Sequence, residues 1–160
     1  MSVMIRQAAA ADVATILRFV RELAEFEREA DKVVATELLL HEAMFGERPV
    51  AEAVIAERDG VALGMALFFH NFSTWTGWKG LYLEDLYVTP EARGSGVGGA
   101  LLRHLARIAV DRGCTRFEWA VLDWNERAIE FYRSMGAEAM DEWTVNRVSG
   151  AALTKLAGRG

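Results

Sequence analysis

The sequence predicts a mixed α/β fold, and three observations support this prediction. Apolar residues recur at helical spacing over 13–24, which is typical of a helix with one buried face. Two apolar runs, 51–58 and 61–69, flank the pair Asp59-Gly60, which favours a tight β-hairpin. Strand-like and helical segments then alternate through the second half of the chain, as in a sheet covered by helices.

The elements are predicted in the following order. A short strand occupies 4–7, and Asp12 is a candidate N-cap for the first helix. A second helix over 36–45 precedes the two hairpin strands, and a polar, aromatic loop over 70–79 follows them. The remaining elements are a strand over 81–88, a glycine loop over 89–99, a helix over 97–112, a strand over 116–121, a helix over 125–135 and a last strand over 143–148.

Length and composition limit the class of protein. The chain has 160 residues and no repeat or Pro/Ser-rich linker, so one domain over 1–160 is predicted. A hydrophobic fraction of 52% and a charged fraction of 26% are typical of a globular protein. The net charge of −5 argues against a nucleic-acid-binding protein, which needs a basic face.

Cysteine content and apolar runs predict a cytoplasmic protein. The single cysteine, Cys114, cannot form an internal disulfide, and the three histidines lack metal-ligand spacing, so no metal site is expected. The first seven residues lack the features of a secretory signal. The longest apolar run has nine residues, whereas a membrane-spanning helix needs about 20. We therefore expect no membrane partner.

A glycine-rich loop precedes the helix over 97–112. Residues 93–99 read Arg-Gly-Ser-Gly-Val-Gly-Gly. Glycines let backbone amides approach an anion, and a helix N-terminus adds partial positive charge at the same place. The loop is therefore a candidate phosphate-binding loop, and a merely flexible turn is the alternative.

Two better-known phosphate-binding motifs fit this loop poorly. A P-loop requires Lys and then Ser or Thr after its last glycine, but Gly99 is followed by Ala and Leu. Gly94, Gly96 and Gly99 match the dinucleotide-binding pattern. In that motif, however, the glycines follow the strand directly, whereas residues 89–93 intervene in this chain.

The strand over 81–88 carries two adjacent carboxylates, Glu84 and Asp85, among apolar residues. Side chains of a regular strand alternate, so one carboxylate would lie on each face of the sheet. Burying a carboxylate without a partner is costly or forces protonation. Either this is an edge strand with solvated or arginine-bound acids, or the carboxylates face a cleft, as a general base or a ligand for a cation.

The short helix over 125–135 has an apolar face formed by residues three and four apart: Ala128, Phe131, Tyr132 and Met135. Considered alone, Tyr132 is therefore typical of a core aromatic residue whose hydroxyl reaches water. Either Asn125 or Asp123 is a candidate N-cap of this helix.

Three blocks of the chain together resemble the GNAT superfamily of N-acetyltransferases, and within it the diamine branch of spermidine/spermine and thialysine acetyltransferases. The blocks are the strand over 81–88 with Arg93-x-x-Gly96-x-Gly98, the segment 121–125, and Phe131-Tyr132 before Gly136-Ala137. The resemblance implies a single-domain fold with a mixed, mostly antiparallel sheet that is splayed at its central strands and has helices on both faces.

The resemblance also implies acetyl-CoA as the cosubstrate, without a metal. Amides of the glycine loop would hold the pyrophosphate, backbone groups of the strand would pair with the pantetheine arm, and an asparagine would contact the cofactor. These cofactor-binding residues are Arg93, Gly94, Ser95, Gly96, Val97 and Gly98 in the loop, Leu86, Tyr87 and Val88 in the strand, and Asn125.

Glu84 matches the family's water-mediated base and Tyr132 its general acid, and a β-bulge in the strand would aim a carboxylate into the cleft. By position, the candidates for an amine pocket are Phe26, Glu27, Trp75, Glu84 and Asp85. The expected reaction is direct attack of a small primary amine, such as a diamine, a polyamine or an amino-acid side chain, in a ternary complex. A regulatory module that binds acetyl-CoA without turnover, and a protein or peptide N-acetyltransferase, are the alternatives. The resemblance further implies a homodimer.

Charge is distributed unevenly along the chain. Residues 93–116 contain five arginines and one acid, whereas residues 22–31 contain five acids and one arginine. Two solvated helix faces would explain both patches. The basic stretch nevertheless begins at the candidate phosphate-binding loop, and the acidic stretch suits a cationic substrate.

Overall fold

A five-stranded sheet organises the chain up to Ala120 in the computed structural model, which describes residues 2–160. Its strands pair in sequence order: β1 (Met4–Gln7), β2 (Glu52–Arg58), β3 (Val61–Ser73), β4 (Trp78–Val88) and β5 (Phe117–Glu118). The first four strands are antiparallel, and β5 joins β4 in parallel. The predicted mixed, mostly antiparallel sheet is thus confirmed. Residues from Val121 to Gly160 form a separate compact unit.

The turn between β2 and β3 is the predicted two-residue hairpin. Asp59 has a φ of 54° and Gly60 a φ of 78°. A type I′ turn requires positive φ at both central residues, which asparagine, aspartate and glycine adopt most readily.

Two helices, α1 (Val13–Phe26) and α2 (Glu37–Phe45), cover one face of the sheet. Ile16, Phe19 and Met44 of these helices pack in one buried cluster with the side chains of Ala53, Ile55, Met65, Leu67 and Tyr87. Since side chains alternate along a strand, these residues of β2 and β3 define the α1/α2 face.

The third helix, α3 (Val97–Asp111), covers the opposite face. Its residues Leu101 and Leu105 are fully buried, as are Val54 and Phe68 on the other side of β2 and β3. The helix contacts β2, β3 and β4. The predicted arrangement of helices on both faces is therefore confirmed.

An ion pair fixes the C-terminal end of α3 to the sheet. The guanidinium of Arg112 donates two hydrogen bonds to the carboxylate of Glu52, of 2.7 and 2.9 Å, and lies 2.8 Å from Nε2 of His70. The indole Nε1 of Trp78 donates to the Arg112 carbonyl at 3.2 Å. Arg112 consequently lowers the pKa of Glu52.

The polar loop predicted over 70–79 is shorter than expected. β3 continues to Ser73, which lies opposite Trp78 at the start of β4, so only 74–77 remain as a turn. Backbone pairing between two strands does not require apolar side chains, and the hairpin therefore extends beyond the apolar run.

The sheet opens between β4 and β5. Only Leu81 and Tyr82 of β4 pair with β5, opposite Phe117 and Glu118. The strand predicted over 116–121 is thus reduced to two residues. From Leu83 onward, β4 has no strand partner on this side among the described residues, which is the predicted splay.

The second unit contains two helices, α4 (Glu126–Ser134) and α5 (Gly150–Leu156). The last strand predicted over 143–148 is wrong, because no strand forms between 121 and 160. Trp143 and Val145 in this segment are 69% and 87% exposed. Alternating apolar residues indicate a strand only where a neighbouring strand is available for pairing. Helix α5 was not predicted.

None of the helices between residues 2 and 160 combines the length and the apolar character needed to cross a bilayer.

Candidate active site

A β-bulge places both carboxylates of β4 on one face of the sheet. Leu83 lies opposite Phe68, whereas Asp85 lies opposite the preceding residue, Leu67, so Glu84 is the extra residue. Leu83 shares the face of Phe68, and Asp85 shares the α1/α2 face of Leu67. Regular alternation is interrupted at the bulge, and the charge of Glu84 acts on both Tyr82 and Asp85, which share the α1/α2 face, so Glu84 is assigned to that face as well. The expected bulge is present, and it removes the one-acid-per-face arrangement of a regular strand.

Burial and neighbouring carboxylates raise the pKa of Asp85 to about 6, from an ordinary 3.8. Burial contributes most, and the charges of Glu84 and Glu27 add to it. Glu27 follows the last residue of α1, and burial together with the charge of Glu29 raises its pKa as well. A cation in this position would reduce the repulsion between these carboxylates.

Phe26 is the last residue of α1 and is 48% exposed, so its ring can contact a ligand beside this acidic cluster. The structure thus brings together four of the five predicted amine-pocket residues: Phe26, Glu27, Glu84 and Asp85.

Trp75 is not brought to this cluster. It lies in the turn between β3 and β4, is 80% exposed, and has the guanidinium of Arg116 at 5.4 Å from its ring centroid. Glu84 lies six residues after Trp78, the first residue of β4. At about 3.3 Å per residue, Trp78 and Glu84 are about 20 Å apart along the strand.

The unpaired edge of β4 presents backbone groups of alternate residues. The amide of Thr89 donates to the Leu63 carbonyl of β3 at 2.9 Å, so the Val88 carbonyl, in the same peptide, points the opposite way. By alternation, Leu86 and Val88 direct their backbone groups to the open edge, and Tyr87 directs its own towards β3.

The glycine loop leaves open space at the N-terminus of α3. Gly94 and Gly96 have φ values of 81° and 89°, and a Cβ built on either would meet no atom within 4 Å. Their requirement for glycine is thus conformational. Ala100 makes the first helical hydrogen bond, to the Gly96 carbonyl at 3.0 Å, so the amides of residues 97–99 are available to an anion. The amides of Arg93 and Ser95 instead donate to the Pro90 and Ala92 carbonyls.

The side chain of Arg93 extends towards α1 and β4. Its Nε donates to the Val88 carbonyl at 3.0 Å, and its Cζ lies 5.5 Å from the ring centroid of Phe26 and 5.7 Å from that of Tyr87. Both rings are within the range of a cation–π interaction.

Sequence reasoning missed Tyr82, and it predicted Tyr87 only as a backbone contact of the cofactor. Burial raises the pKa of Tyr87, and the charge of Glu22 on α1 raises it further, whereas the charge of Arg93 lowers it. Burial also raises the pKa of Tyr82, with contributions from Glu84 and Glu118. The sequence shows that Tyr82 and Glu84 are two residues apart in one strand, which indicates that they are neighbours. The proximity of Glu22 to Tyr87, in contrast, depends on the packing of α1.

In the second unit, Asn125 is the N-cap of α4. Its Oδ1 accepts a hydrogen bond from the Ala128 amide at 3.2 Å, which decides between the two candidate caps. Tyr132 lies on α4, with its ring centroid 5.5 Å from that of Phe131.

A loop for phosphates beside an open strand edge suits a long ligand with phosphates at one end, and carboxylates farther along the strand suit a basic acceptor. Together these features indicate a transferase that uses an acyl-CoA. A comparison with family models agrees: residues 16–137 match the acetyltransferase (GNAT) family. The chain belongs to this family and is an acetyltransferase.

Individual proteins are similar over most or all of the chain. Thialysine N-epsilon-acetyltransferase from Sus scrofa is 40% identical and covers 99% of each chain. The protein of the same name from Caenorhabditis elegans is 37% identical and covers 89% of each chain. A solved structure of an integron cassette protein from the mobile metagenome of V. cholerae is 31% identical, with a TM-score of 0.82 and 98% coverage of each chain.

Membership of the family implies acetyl-CoA as the acetyl donor. The open space at Gly94 and Gly96 and the unpaired edge of β4 fit this ligand. Residues 2–160 contain no group of three or more His, Cys, Asp or Glu side chains arranged to hold a metal ion.

Proposed function

We propose that this protein transfers the acetyl group of acetyl-CoA to a primary amine of a small molecule, by direct attack in a ternary complex. The observation that carries the proposal is the bulge that turns Glu84 and Asp85 to one face, beside Glu27. A relative named for thialysine, at 40% identity over 99% of the chain, supports an amino-acid side chain as acceptor, and so does one named for L-ornithine, at 38% identity over 69% of the chain.

The acceptor must lose a proton before it attacks. An alkylammonium has a pKa of about 10.4 and carries no free electron pair. Glu84 is exposed at the bulge and would accept this proton through a water molecule. Asp85 and Glu27, whose charges interact, would hold the charged acceptor beside the Phe26 ring. The role of Trp75 in the amine pocket remains a prediction. The distance between Trp75 and Glu84 within one chain does not favour it.

The donor would lie along the open edge of β4. Acetyl-CoA supplies the acetyl group as an activated thioester. Backbone groups of Leu86 and the amide of Val88, whose carbonyl accepts from Arg93, would pair with its pantetheine arm. The glycine loop, residues 93–98, would hold its pyrophosphate through the amides of Gly94, Gly96, Val97 and Gly98. Because Oδ1 of Asn125 serves as a helix cap, we assign its Nδ2 to the cofactor.

Tyr132 is proposed as the general acid. Its phenol would donate a proton to the sulfur that leaves when the amine has attacked. This role is supported by its match to the family pattern and by its place on the helix that Asn125 caps.

Release of free thiol from acetyl-CoA tests the proposal with a panel of thialysine, L-lysine, L-ornithine, spermidine and a lysine-containing peptide. We expect turnover of at least one free amine, and a loss of about 100-fold or more in kcat/KM for Glu84→Gln and for Tyr132→Phe. Glu47→Gln, in an exposed loop after α2, is the matched control and should retain wild-type activity.

Two results would contradict the proposal. Binding of acetyl-CoA without thiol release from any amine would indicate a regulatory module. Turnover of the peptide without turnover of free amines would indicate a protein acetyltransferase.

A homodimer is also proposed, and the exposure of Met140, Trp143 and Val145 in the second unit supports it, because a second copy could cover these side chains. Light scattering after size-exclusion chromatography should give twice the mass of 17.8 kDa.

A single domain remains a proposal, which the family match across both units supports. The cytoplasmic location rests on the single Cys114.

A further inference from the structure

Arg93 begins the glycine loop, but the contacts of its side chain lie outside that loop. The guanidinium lies near the rings of Phe26 on α1 and Tyr87 on β4, and Nε donates to the Val88 carbonyl. The side chain of Arg93 therefore joins the glycine loop to α1 and β4.

The hydrogen bond to Val88 lies at the open edge of β4. The Val88 carbonyl points away from β3, because the Thr89 amide of the same peptide donates to Leu63 of β3. Arg93 therefore fixes the end of β4 at the position where the strand lacks a neighbour.

The two rings that contact the guanidinium flank the acidic site. Phe26 directly precedes Glu27, whose charge acts on Asp85, and Tyr87 follows Asp85 by two residues. The ring of Tyr87 is buried against Phe19, with centroids 5.2 Å apart, and thus forms a rigid support. Arg93 is therefore a side chain that connects the end of α1 to the end of β4.

We propose that Arg93 is a positioning residue that holds the amine-binding end of α1 against the cofactor-binding end of β4. This inference rests on the proposed function. Loss of the guanidinium would release Phe26 and Glu27 and so weaken binding of the amine. The backbone amides of the loop would remain, so binding of CoA would change little.

The experiment compares Arg93→Met, Arg93→Lys and wild type, with Arg107→Met as the matched control, which removes an equal charge from the exposed side of α3. Calorimetry gives the Kd of CoA, and thiol release gives KM and kcat for thialysine. We expect Arg93→Met to raise the KM of thialysine about tenfold, with the Kd of CoA within about threefold of wild type. Arg93→Lys keeps a cation between the rings and should recover most of the affinity.

A double-mutant cycle with Phe26→Leu distinguishes positioning from a separate effect. If Arg93 acts through the ring, Phe26→Leu/Arg93→Met should raise KM no more than the larger of the two single changes. The same cycle with Arg93→Gln decides the matter if Arg93→Met does not fold.

Two outcomes overturn this inference while leaving the proposed function intact. One is a Kd for CoA raised tenfold or more with an unchanged KM for thialysine. The other is strict additivity of the effects that substitutions at Phe26 and Arg93 have on this KM. A wild-type protein that neither binds nor acetylates thialysine or another amine of the panel removes the proposed function, and the inference with it. That failure is visible before any variant is made.

Discussion

Replacing Asp85 by asparagine should stabilise the protein at neutral pH. The pKa of Asp85 is about 6 in the folded chain and 3.8 in a model peptide, so the folded chain holds its proton more tightly than the unfolded chain. The contribution of Asp85 to stability is therefore fully present below pH about 4 and is lost as pH rises through about 6. The difference between the two pKa values corresponds to about 3 kcal/mol.

Asparagine resembles the protonated acid in shape and does not ionise. At pH 8, Asp85→Asn should increase the free energy of unfolding by up to about 3 kcal/mol, and at pH 4 by less than about 1 kcal/mol. The lowered pKa values of Asp12 and Glu52 act in the opposite direction, but they act in both proteins and cancel in the difference.

Urea denaturation of wild type and variant between pH 4 and pH 8 measures this difference. Asp59→Asn makes the same chemical change in the exposed turn between β2 and β3, and no comparable pH-dependent gain is expected there. If the gain in free energy of unfolding for Asp85→Asn does not grow between pH 4 and pH 8, burial does not disfavour the ionised form of Asp85. On the proposed function, the stabilised variant should also bind the amine more weakly, because it lacks a carboxylate of the acidic cluster.

Two further predictions concern the loop and the ion pair. Gly96→Ala and Gly77→Ala both force a side chain onto positive φ, so each should lower the free energy of unfolding by about 1–2 kcal/mol. Only Gly96→Ala should weaken the binding of CoA, measured by calorimetry, and equal affinities in the two variants would contradict a role for this loop. Arg112→Met should lower the free energy of unfolding by about 1 kcal/mol, because the pair with Glu52 is about one-third exposed. In a cycle with Glu52→Gln, urea denaturation should give a coupling of similar size, and zero coupling would mean that the pair does not stabilise the fold.

The sequence pattern predicted the sheet and its helices well where periodicity and turn residues agree. The Asp59-Gly60 hairpin and α1 depend on local signals, namely positive φ in a two-residue turn and a continuous apolar stripe. The segment 143–148 has the same kind of local signal but forms no strand, because pairing depends on a neighbour that the local pattern does not specify. The polar ends of β3 and β4 show the converse, since pairing continued without an apolar signal.

Site residues were predictable only in part, for similar reasons. The glycines of the loop and the adjacent acids of β4 are evident in the sequence, and the structure gives Gly94 and Gly96 the positive φ that favours glycine. The side-chain contacts of Arg93 depend on where α1 packs against β4, which no motif describes. The separation of Trp75 from Glu84 likewise depends on how far the hairpin extends.

The bulge at Glu84 also adds one residue to β4. Deletion of this one residue would restore a regular register opposite β3, with Leu83 still opposite Phe68 and Asp85 still opposite Leu67. Asp85 would keep its place on the α1/α2 face, and the buried ring of Tyr87 would stay in the core cluster with Phe19. A substitution at Glu84 alters one side chain and keeps the bulge, whereas loss of the position would remove both the bulge and one of the two adjacent carboxylates. The extra residue therefore adds a carboxylate to the strand without changing the register of the residues that follow it.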